Sequence, residues 1–201
     1  MSICAILLAA GASSRMRGLD KLMQQVRGTS LLRDRAQMLR ASVVDQLIIV
    51  LPDGLPDRHD ALAGLDLHCV INSQAQTGMA SSIQTGLRAL PRTCDAALIM
   101  PADLPDLTLS DINTMLEHFA AEPDMIHRGV AQSGQPGSPV IFPRAYFAAL
   151  NQLSGDESGR AVLAMHKDKI RAHALPDTHA TLDLDTPEDW AAWRARPNPQ
   201  A

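Results

Sequence analysis

Small residues followed by cations near the N-terminus form the first pattern that could do chemistry. Residues 7–21 read LLAAGASSRMRGLDK, in which residues 9–11 carry almost no side chain and Arg15 and Lys21 follow. Backbone N–H groups in such a loop approach an anion closely, and the two cations neutralise phosphate oxygens. The pattern favours a triphosphate-binding loop, although a plain strand-to-helix turn with solvated cations has the same composition. It is neither a Walker A loop nor the dinucleotide GxGxxG pattern.

Aspartates in two later motifs are candidates for holding a metal ion. Asp103 lies in IMPADLP, between Pro101 and Pro105, and Asp183 and Asp185 alternate in TLDLDTPED. Mg²⁺ binds through one or two carboxylates together with substrate phosphates. Alternate residues of a strand share a face, and two neighbouring carboxylates repel unless a cation or donor lies between them. Each motif is thus a candidate metal contact, with a turn residue or a helix cap as the alternative role.

Apolar runs that alternate with helical patterns must position these motifs. ICAILLA, QLIIVL, LHCVI and AALIM are typical of buried strands. Apolar residues at helical spacing follow the first, third and fourth runs: Leu32, Ala36, Leu39 and Val43 after a Thr29/Ser30 cap; Met79, Ile83, Leu87 and Leu90; and Ile112, Met115, Leu116 and Phe119 after a Ser110 cap. Repeated strand–helix–strand units predict an α/β fold with a mostly parallel central sheet and helices on both faces.

The second half of the chain has a different pattern of elements. DMIHRGVAQ and SPVIF predict short strands around a turn-rich link, and KIRAHAL and ATLDL predict late strands. Helices are expected at 143–152, at 159–166 and after Thr186, which caps TPEDWAAW. We expect one domain at 1–196 and a frayed tail at 197–201. Since ligands bind at the carboxyl ends of parallel strands, the small-residue loop and both aspartate motifs belong to one edge of the sheet.

Composition limits the classes of partner. The chain has 201 residues and a formal net charge of -4, so we expect no nucleic-acid partner. No apolar run approaches the roughly 20 residues of a membrane span, so we expect no membrane association. The cysteines, Cys4, Cys69 and Cys94, show neither disulfide-like nor metal-like spacing, which favours a cytoplasmic protein.

The motifs in this order resemble a known family. LLAAGASSRM…K, GMASSIQTGL, PADLP, GQPGSPVIF and LDLDTPEDW together resemble the nucleotidyltransferases that act on the molybdenum cofactor. The LAAG form at residues 8–11 resembles the cytidylyltransferase branch, because the guanylyltransferase branch usually has a second glycine where Ala10 stands. One departure is Arg17, which is inserted in RMRGLDK before the lysine. The resemblance implies a single Rossmann-like nucleotidyltransferase domain, Mg²⁺ as cofactor, and transfer of CMP from CTP to a molybdopterin-type acceptor.

The resemblance also implies roles for individual residues. Those assigned to the nucleotide are Leu8, Ala9, Ala10, Gly11, Arg15, Lys21, Asn72, Gly78, Ser81 and Ser82. Those assigned to the acceptor are Gly137, Ser138 and Pro139, and those assigned to Mg²⁺ are Asp103 and Asp185, with Asp183 as a further candidate. Arg15, Lys21 and Asp103 form the implied catalytic set, and a molybdoenzyme or its chaperone is an implied partner.

Other functions remain open from the sequence. In the same chemistry, the nucleotide could be GTP or the acceptor a sugar phosphate. A different class is a non-catalytic nucleotide-binding protein that passes cofactor to a molybdoenzyme. The presence of Lys21 together with Asp103 favours catalysis, because binding alone does not require a metal-binding carboxylate aimed at the α-phosphate. A dehydrogenase is disfavoured by the missing GxGxxG.

Overall fold

A seven-stranded sheet forms the centre of the protein, with strand order β5-β4-β1-β6-β8-β7-β9. The computed structural model describes residues 1–197, so all but the first residue of the tail expected at 197–201 lies outside the described residues. The sheet strands are β1 (Ile3–Leu8), β4 (Gln46–Pro52), β5 (His68–Asn72), β6 (Ala96–Pro101), β7 (Ile126–Val130), β8 (Pro136–Pro143) and β9 (Ile170–Ala174). Two short strands, β2 (Gln25–Val26) and β3 (Thr29–Ser30), form a separate antiparallel ribbon.

Only β8 runs against its neighbours in this sheet. β1 pairs in parallel with β4 and β6, β4 with β5, and β7 with β9, whereas β8 is antiparallel to both β6 and β7. The predicted α/β fold with a mostly parallel sheet is therefore confirmed. Because β8 is reversed, its first residues lie at the same edge as the last residues of β1, β4, β5 and β6.

Helices cover both faces of the sheet, as predicted. Their bounds are α1 (Leu31–Arg40), α2 (Pro56–Asp60), α3 (Met79–Ala89), α4 (Leu109–Ala121), α5 (Phe147–Leu150), α6 (Gly159–Met165) and α7 (Pro187–Arg194). Successive strand residues enter opposite apolar clusters: Leu7 and Leu98 pack with α1, α4 and α7, whereas Ile6 and Ile99 pack with α3 and α6. This two-residue period is what a sheet buried on both faces requires.

The structure corrects several sequence-based expectations at element ends. Helix α1 ends at Arg40, and Val43 is 68% exposed rather than part of its buried face. Thr108, not Ser110, caps α4, because its side chain and that of Asp111 form a reciprocal capping box. The short helix α2 was not predicted from the sequence.

The predicted strand at ATLDL is wrong. Residues 180 and 181 form a turn, and residues 182–185 have no strand pairing. Leu184 is 1% exposed and joins the apolar cluster of α4 and α7. The alternation of leucine and aspartate therefore arises from an extended segment that buries Leu184 without a ladder partner.

Among the described residues, no helix is long and apolar enough to cross a bilayer.

Candidate functional site

The N-terminal loop, residues 9–21, follows β1 and contains the short 3₁₀ turn Ser14–Met16. The Ala9 N–H donates to the Val50 carbonyl oxygen at 2.9 Å, which attaches the loop to β4. Gly11 is exposed, its φ lies outside the left-handed region, and a Cβ there would meet no atom within 4 Å. The packing of the protein itself therefore gives no reason for glycine at this position, whereas close approach of a ligand to the backbone does.

A buried arginine from α2 holds this loop. Arg58 is fully buried, and its Nε and Nη2 donate to the two carboxylate oxygens of Asp20 at 2.7 and 2.9 Å. Its Nη1 donates to the Ala9 carbonyl oxygen at 2.6 Å. Burial opposes the charged form of Asp20, but the hydrogen bonds and charge of Arg58 outweigh it and lower the pKa of the carboxyl. Arg58 thus joins the first residue of the loop to the residue before Lys21.

The Lys21 ammonium bridges two carboxylates from distant parts of the chain. Its Nζ donates to Asp103 Oδ2 at 2.5 Å and to Asp185 Oδ1 at 2.8 Å. Burial opposes the charge of Lys21, but Asp103 and Asp185 outweigh it and raise the pKa of the ammonium. Burial likewise opposes the charge of Asp185, and Lys21 lowers the pKa of that carboxyl. The structure therefore brings together Lys21, Asp103 and Asp185, as the motifs suggested.

One oxygen of Asp103 is left without a partner. Its Oδ1 is buried and accepts no hydrogen bond from any described residue. An unsatisfied buried carboxylate oxygen is costly, so a cation or a ligand donor at this position would be favourable. Within residues 1–197, no group of three or more His, Cys, Asp or Glu side chains is arranged to hold a metal ion. Asp103 and Asp185 instead supply two carboxylates, which suits Mg²⁺ completed by substrate phosphates.

The aspartate loop, residues 102–107, is also held by arginines. Arg35 on α1 is buried and donates from Nη1 to the carbonyl oxygens of Leu104, at 3.0 Å, and Leu107. Arg27 donates to the Pro105 carbonyl oxygen at 3.0 Å. The backbone after Asp103 is therefore fixed by side chains that come from a distant helix and its preceding turn.

Arg15 and Arg17 point to different partners. Arg15 forms an ion pair with Asp185 at 2.7 Å, although its side chain is 67% exposed. Arg17 pairs at 2.7 Å with Glu188 in the first turn of α7, and both of these side chains are largely exposed. Arg15, rather than the inserted Arg17, therefore lies at the Lys21–Asp185 group.

The residues of the GMASS motif form a separate buried group beside Asn72. Asn72 Nδ2 donates to the hydroxyl oxygens of Ser81 and Ser82 at 2.8 and 3.0 Å, and all three side chains are buried. Gly78 has φ 116°, and a Cβ there would lie 2.2 Å from the Gly155 carbonyl oxygen. These contacts hold the start of α3 against the 154–158 segment, and direct contact of the two serines with a nucleoside stays a prediction.

A cavity of about 420 Å³ opens beside Asp103. Of the residues predicted to contact ligands, Leu8, Asp103, Gly137 and Ser138 line it. Pro139 is buried and is not among the lining residues, and Ala10 belongs to the apolar cluster of α3. A Cβ at Gly137 would lie 2.0 Å from the Ala180 carbonyl oxygen, so a larger residue would displace the wall. Asp183 also lines the cavity, and burial, followed by the neighbouring Asp185, raises the pKa of its carboxyl.

Sequence reasoning missed four arginines of this region. Arg35 and Arg58 hold the two loops from inside the protein, and Arg128 and Arg160 line the cavity. A single arginine in a helical or strand pattern predicts a solvated side chain, and no local spacing reveals a partner tens of residues away. The acidic residue before Lys21 is the one local signal that a buried cation lies nearby.

Comparisons with known proteins identify the family of this chain. A family model described as MobA-like NTP transferase domain matches residues 5–170. A curated relative from Synechococcus elongatus, named "Probable molybdenum cofactor guanylyltransferase", is 28% identical over 96% of this chain and 98% of its own. A relative from Paenarthrobacter nicotinovorans, named "Nicotine blue oxidoreductase", is 26% identical over 92% of this chain and 93% of its own.

Solved structures show the same fold. The crystal structure of Rv0371c from Mycobacterium tuberculosis H37Rv has a TM-score of 0.82 at 23% identity, over 98% of this chain and 100% of that one. Rv0371c in complex with manganese has a TM-score of 0.79 at 23% identity, over 96% and 97% of the two chains. Since the family model covers most of the sequence, this chain is a nucleotidyltransferase that belongs to the MobA-like NTP transferase domain family.

Proposed function

We propose that this protein transfers CMP from CTP to a molybdopterin-type acceptor and releases pyrophosphate. The observation that carries the proposal is the Lys21 ammonium held between Asp103 and Asp185 beside the cavity. Nucleotidyl transfer depends on charge neutralisation and in-line positioning rather than on covalent help from the protein. The named relative from Synechococcus elongatus supports the molybdenum-cofactor acceptor.

The proposed reaction exchanges one phosphoanhydride bond for another. An oxygen of the acceptor phosphate attacks the α-phosphorus of the nucleotide. The bond from the α-phosphorus to the bridging oxygen breaks, and pyrophosphate leaves with that electron pair. Lys21 and Arg15 neutralise the triphosphate, the backbone of residues 9–11 positions it, and Gly137 and Ser138 line the acceptor side.

Asp103 and Asp185 are the proposed Mg²⁺ ligands. The unpartnered Asp103 Oδ1 supports this assignment, because Lys21 pairs with the other oxygen of that carboxylate and leaves Oδ1 available. Manganese in the structure of Rv0371c, which shares the fold, is consistent with a divalent cation here. A bound Mg²⁺ would supply charge neutralisation at the phosphates, and this chain would contribute the two carboxylate side chains.

CTP is proposed as donor because Ala10 stands in the LAAG form of the loop. Ala10 is 5% exposed and packs in the apolar cluster of α3, so a glycine at this position would remove a buried methyl group behind the loop. GTP is the second candidate, since the curated molybdenum-cofactor relatives carry guanylyltransferase names. A pocket built for a pyrimidine rejects a purine by its size and by leaving purine polar groups unpaired.

Pyrophosphate release with each of the four NTPs, with and without molybdopterin cofactor, tests the proposal. We expect release that requires both the acceptor and CTP, with a kcat/KM for CTP well above that for GTP. We expect Ala10→Gly to lower the ratio of the kcat/KM for CTP to the kcat/KM for GTP. A higher kcat/KM for GTP would replace CTP by the second candidate.

The same assay decides between the remaining alternatives. Release that requires a sugar phosphate instead of molybdopterin would change the proposed acceptor. Nucleotide binding without pyrophosphate release under any condition would favour a non-catalytic carrier that delivers cofactor to a molybdoenzyme. Co-purification with a molybdoenzyme or its chaperone would support the proposed partner in either case.

A further inference from the structure

Two arginines line the cavity on the side of β7 and α6. Arg128 lies on β7 and is half-buried, and Arg160 is the second residue of α6 and is exposed. The apolar wall between them and Asp103 includes Ile99, Val140 and Phe142. The cavity is therefore lined by three carboxylates, Asp103, Asp156 and Asp183, and by two guanidinium groups.

Neither arginine is neutralised by the protein. Within residues 1–197, no carboxylate lies within 4.0 Å of either guanidinium, and the cavity-lining Asp103, Asp156 and Asp183 form no ion pair with them. Arg128 Nε donates to the Gly137 carbonyl oxygen at 3.1 Å, which orients its guanidinium and leaves both terminal amino groups available. Burial, followed by the charge of Arg160, lowers the pKa of Arg128. Two like charges beside one cavity repel each other, and a bound anion would offset that repulsion.

The strand register separates these arginines from Asp103. Val140 of β8 pairs with Ile99 of β6 on one side and with Arg128 of β7 on the other. At ~4.8 Å for each strand spacing, the backbone at Arg128 lies about 10 Å from that of β6, the strand that leads to Asp103. Strand β8 therefore lies between β7 and β6, so Arg128 approaches the cavity from a different strand than the one that leads to Asp103.

We propose that Arg128 and Arg160 form an anion-binding subsite for a negatively charged group of the acceptor other than the phosphate that reacts. The proposed subsite rests on the proposed function for the identity of the acceptor. It requires an acceptor that carries anionic groups at two separated positions. Arg128 supplies a guanidinium oriented by its hydrogen bond to Gly137, and Arg160 supplies a second guanidinium from α6 at the same cavity.

Steady-state kinetics with molybdopterin cofactor test which substrate the arginines bind. We expect Arg128→Gln and Arg160→Gln each to raise the KM for the acceptor about 10-fold or more, with the KM for CTP and kcat little changed. Arg40→Gln, at the exposed end of α1, is the matched control and should leave all three constants unchanged. A fall in kcat without a rise in acceptor KM would place the arginines at the reacting phosphate and overturn the proposal, as would unchanged kinetics.

Thermal unfolding with inorganic phosphate tests the subsite without relying on catalysis. We expect phosphate to raise the Tm of the parent protein and of Lys21→Ala, and to raise the Tm of the Arg128→Gln/Arg160→Gln double variant clearly less, because that variant keeps only the phosphate contacts of the triphosphate site. Absence of a rise in the parent, or an equal rise in the double variant, would overturn the subsite. If molybdopterin is not a substrate but the phosphate effect depends on these arginines, the proposed function fails and the subsite stands.

Discussion

Buried arginines hold the loops around Lys21, whereas the arginines of the cavity are presented to solvent. Arg58 donates its hydrogen bonds to Asp20, Ala9 and Ser13, all within the protein. Arg128 uses one donor on Gly137 and directs the rest toward the cavity. An arginine saturated by the protein fixes the shape of a loop, and an unsaturated one has binding capacity left for a ligand. We expect substitution of a saturated arginine to weaken nucleotide binding, and substitution of an unsaturated one to weaken acceptor binding.

Asp103→Asn is the change with the largest expected effect, because Asp103 accepts from Lys21 and also lines the cavity. The substitution keeps the shape of the side chain but removes the negative charge that faces Lys21 and the proposed Mg²⁺. We expect CTP turnover to fall about 10²-fold or more while the protein stays folded. The measurement is turnover against Mg²⁺ concentration, with thermal unfolding in parallel.

Asp106→Asn is the matched control for that experiment. Asp106 lies in the same loop but accepts from Trp193 Nε1 at 2.7 Å, away from Lys21, and an asparagine retains this acceptor. We expect turnover close to that of the parent. If Asp103→Asn also turns over CTP like the parent, then the metal assignment is wrong and PADLP is only a turn.

Lys21→Ala should have the next largest effect. It removes a contact to phosphate and also leaves Asp103 and Asp185 without their shared cation. We expect both a higher KM for CTP and a lower kcat, with incomplete rescue by Lys21→Arg, because a planar fork does not replace a compact ammonium between two carboxylates. Lys169→Ala, an exposed lysine before β9, is the control. Unchanged kinetics for Lys21→Ala would move the triphosphate contact to Arg15.

Arg58→Met tests whether the buried arginine acts on the nucleotide alone. Removing it leaves Asp20 partly buried without its cation, so the Tm should fall by several degrees. Because Arg58 positions the N-terminal loop, we expect the KM for CTP to rise about 10-fold and the KM for the acceptor to stay constant. Arg58→Lys should recover part of the CTP affinity, which a simple loss of stability would not predict. If Arg58→Met changed the KM for CTP and the KM for the acceptor equally, then Arg58 would not act on the nucleotide alone.

Asp20→Asn should give the smallest effect on the kinetics, because asparagine still accepts from Arg58, and its effect on stability depends on pH. The folded protein lowers the pKa of Asp20, so its ionised carboxylate contributes stability above about pH 4, the unfolded value, and that contribution is lost as pH falls through the folded value. Urea unfolding between pH 3 and pH 7 should show the parent more stable than Asp20→Asn at neutral pH, with the gap closing in acid. A constant gap at every pH would mean that Asp20 contributes no charge-dependent stability.

The sequence predicts those parts of the site that follow directly from strands. Buried apolar runs predict parallel strands, and residues after them, such as Asp103, fall at one edge by topology. Motif order predicted that Asp185 lies near Asp103, but not that Lys21 pairs with both, and the strand expected before Asp185 does not exist. The burial of Leu184 and the ion pairs of Asp185 with Lys21 and Arg15 hold this segment, which period-two alternation cannot distinguish from a strand.

The sequence does not predict the arginine contacts, because they depend on chain segments that meet only in three dimensions. Arg58 and Ala9 are 49 residues apart, and Arg35 and Leu104 are 69 apart. The helical pattern of residues 31–40 gives Arg35 solvent as its default partner, and no local pattern predicts the short helix that carries Arg58. Their burial results from how α1 and α2 dock against loops, which sequence periodicity does not describe.

The reversed direction of β8 has a consequence for how this protein could be redesigned. The link at residues 131–135 joins two adjacent antiparallel strands, β7 and β8. Gly137 and Ser138, which line the cavity, lie at the start of β8. A hairpin of this kind is a local unit, so its length and composition can be exchanged without rerouting the crossovers that carry the N-terminal loop and Asp103. Substrate range on the cavity side is therefore open to modular engineering, with the chemistry of phosphoryl activation left in place.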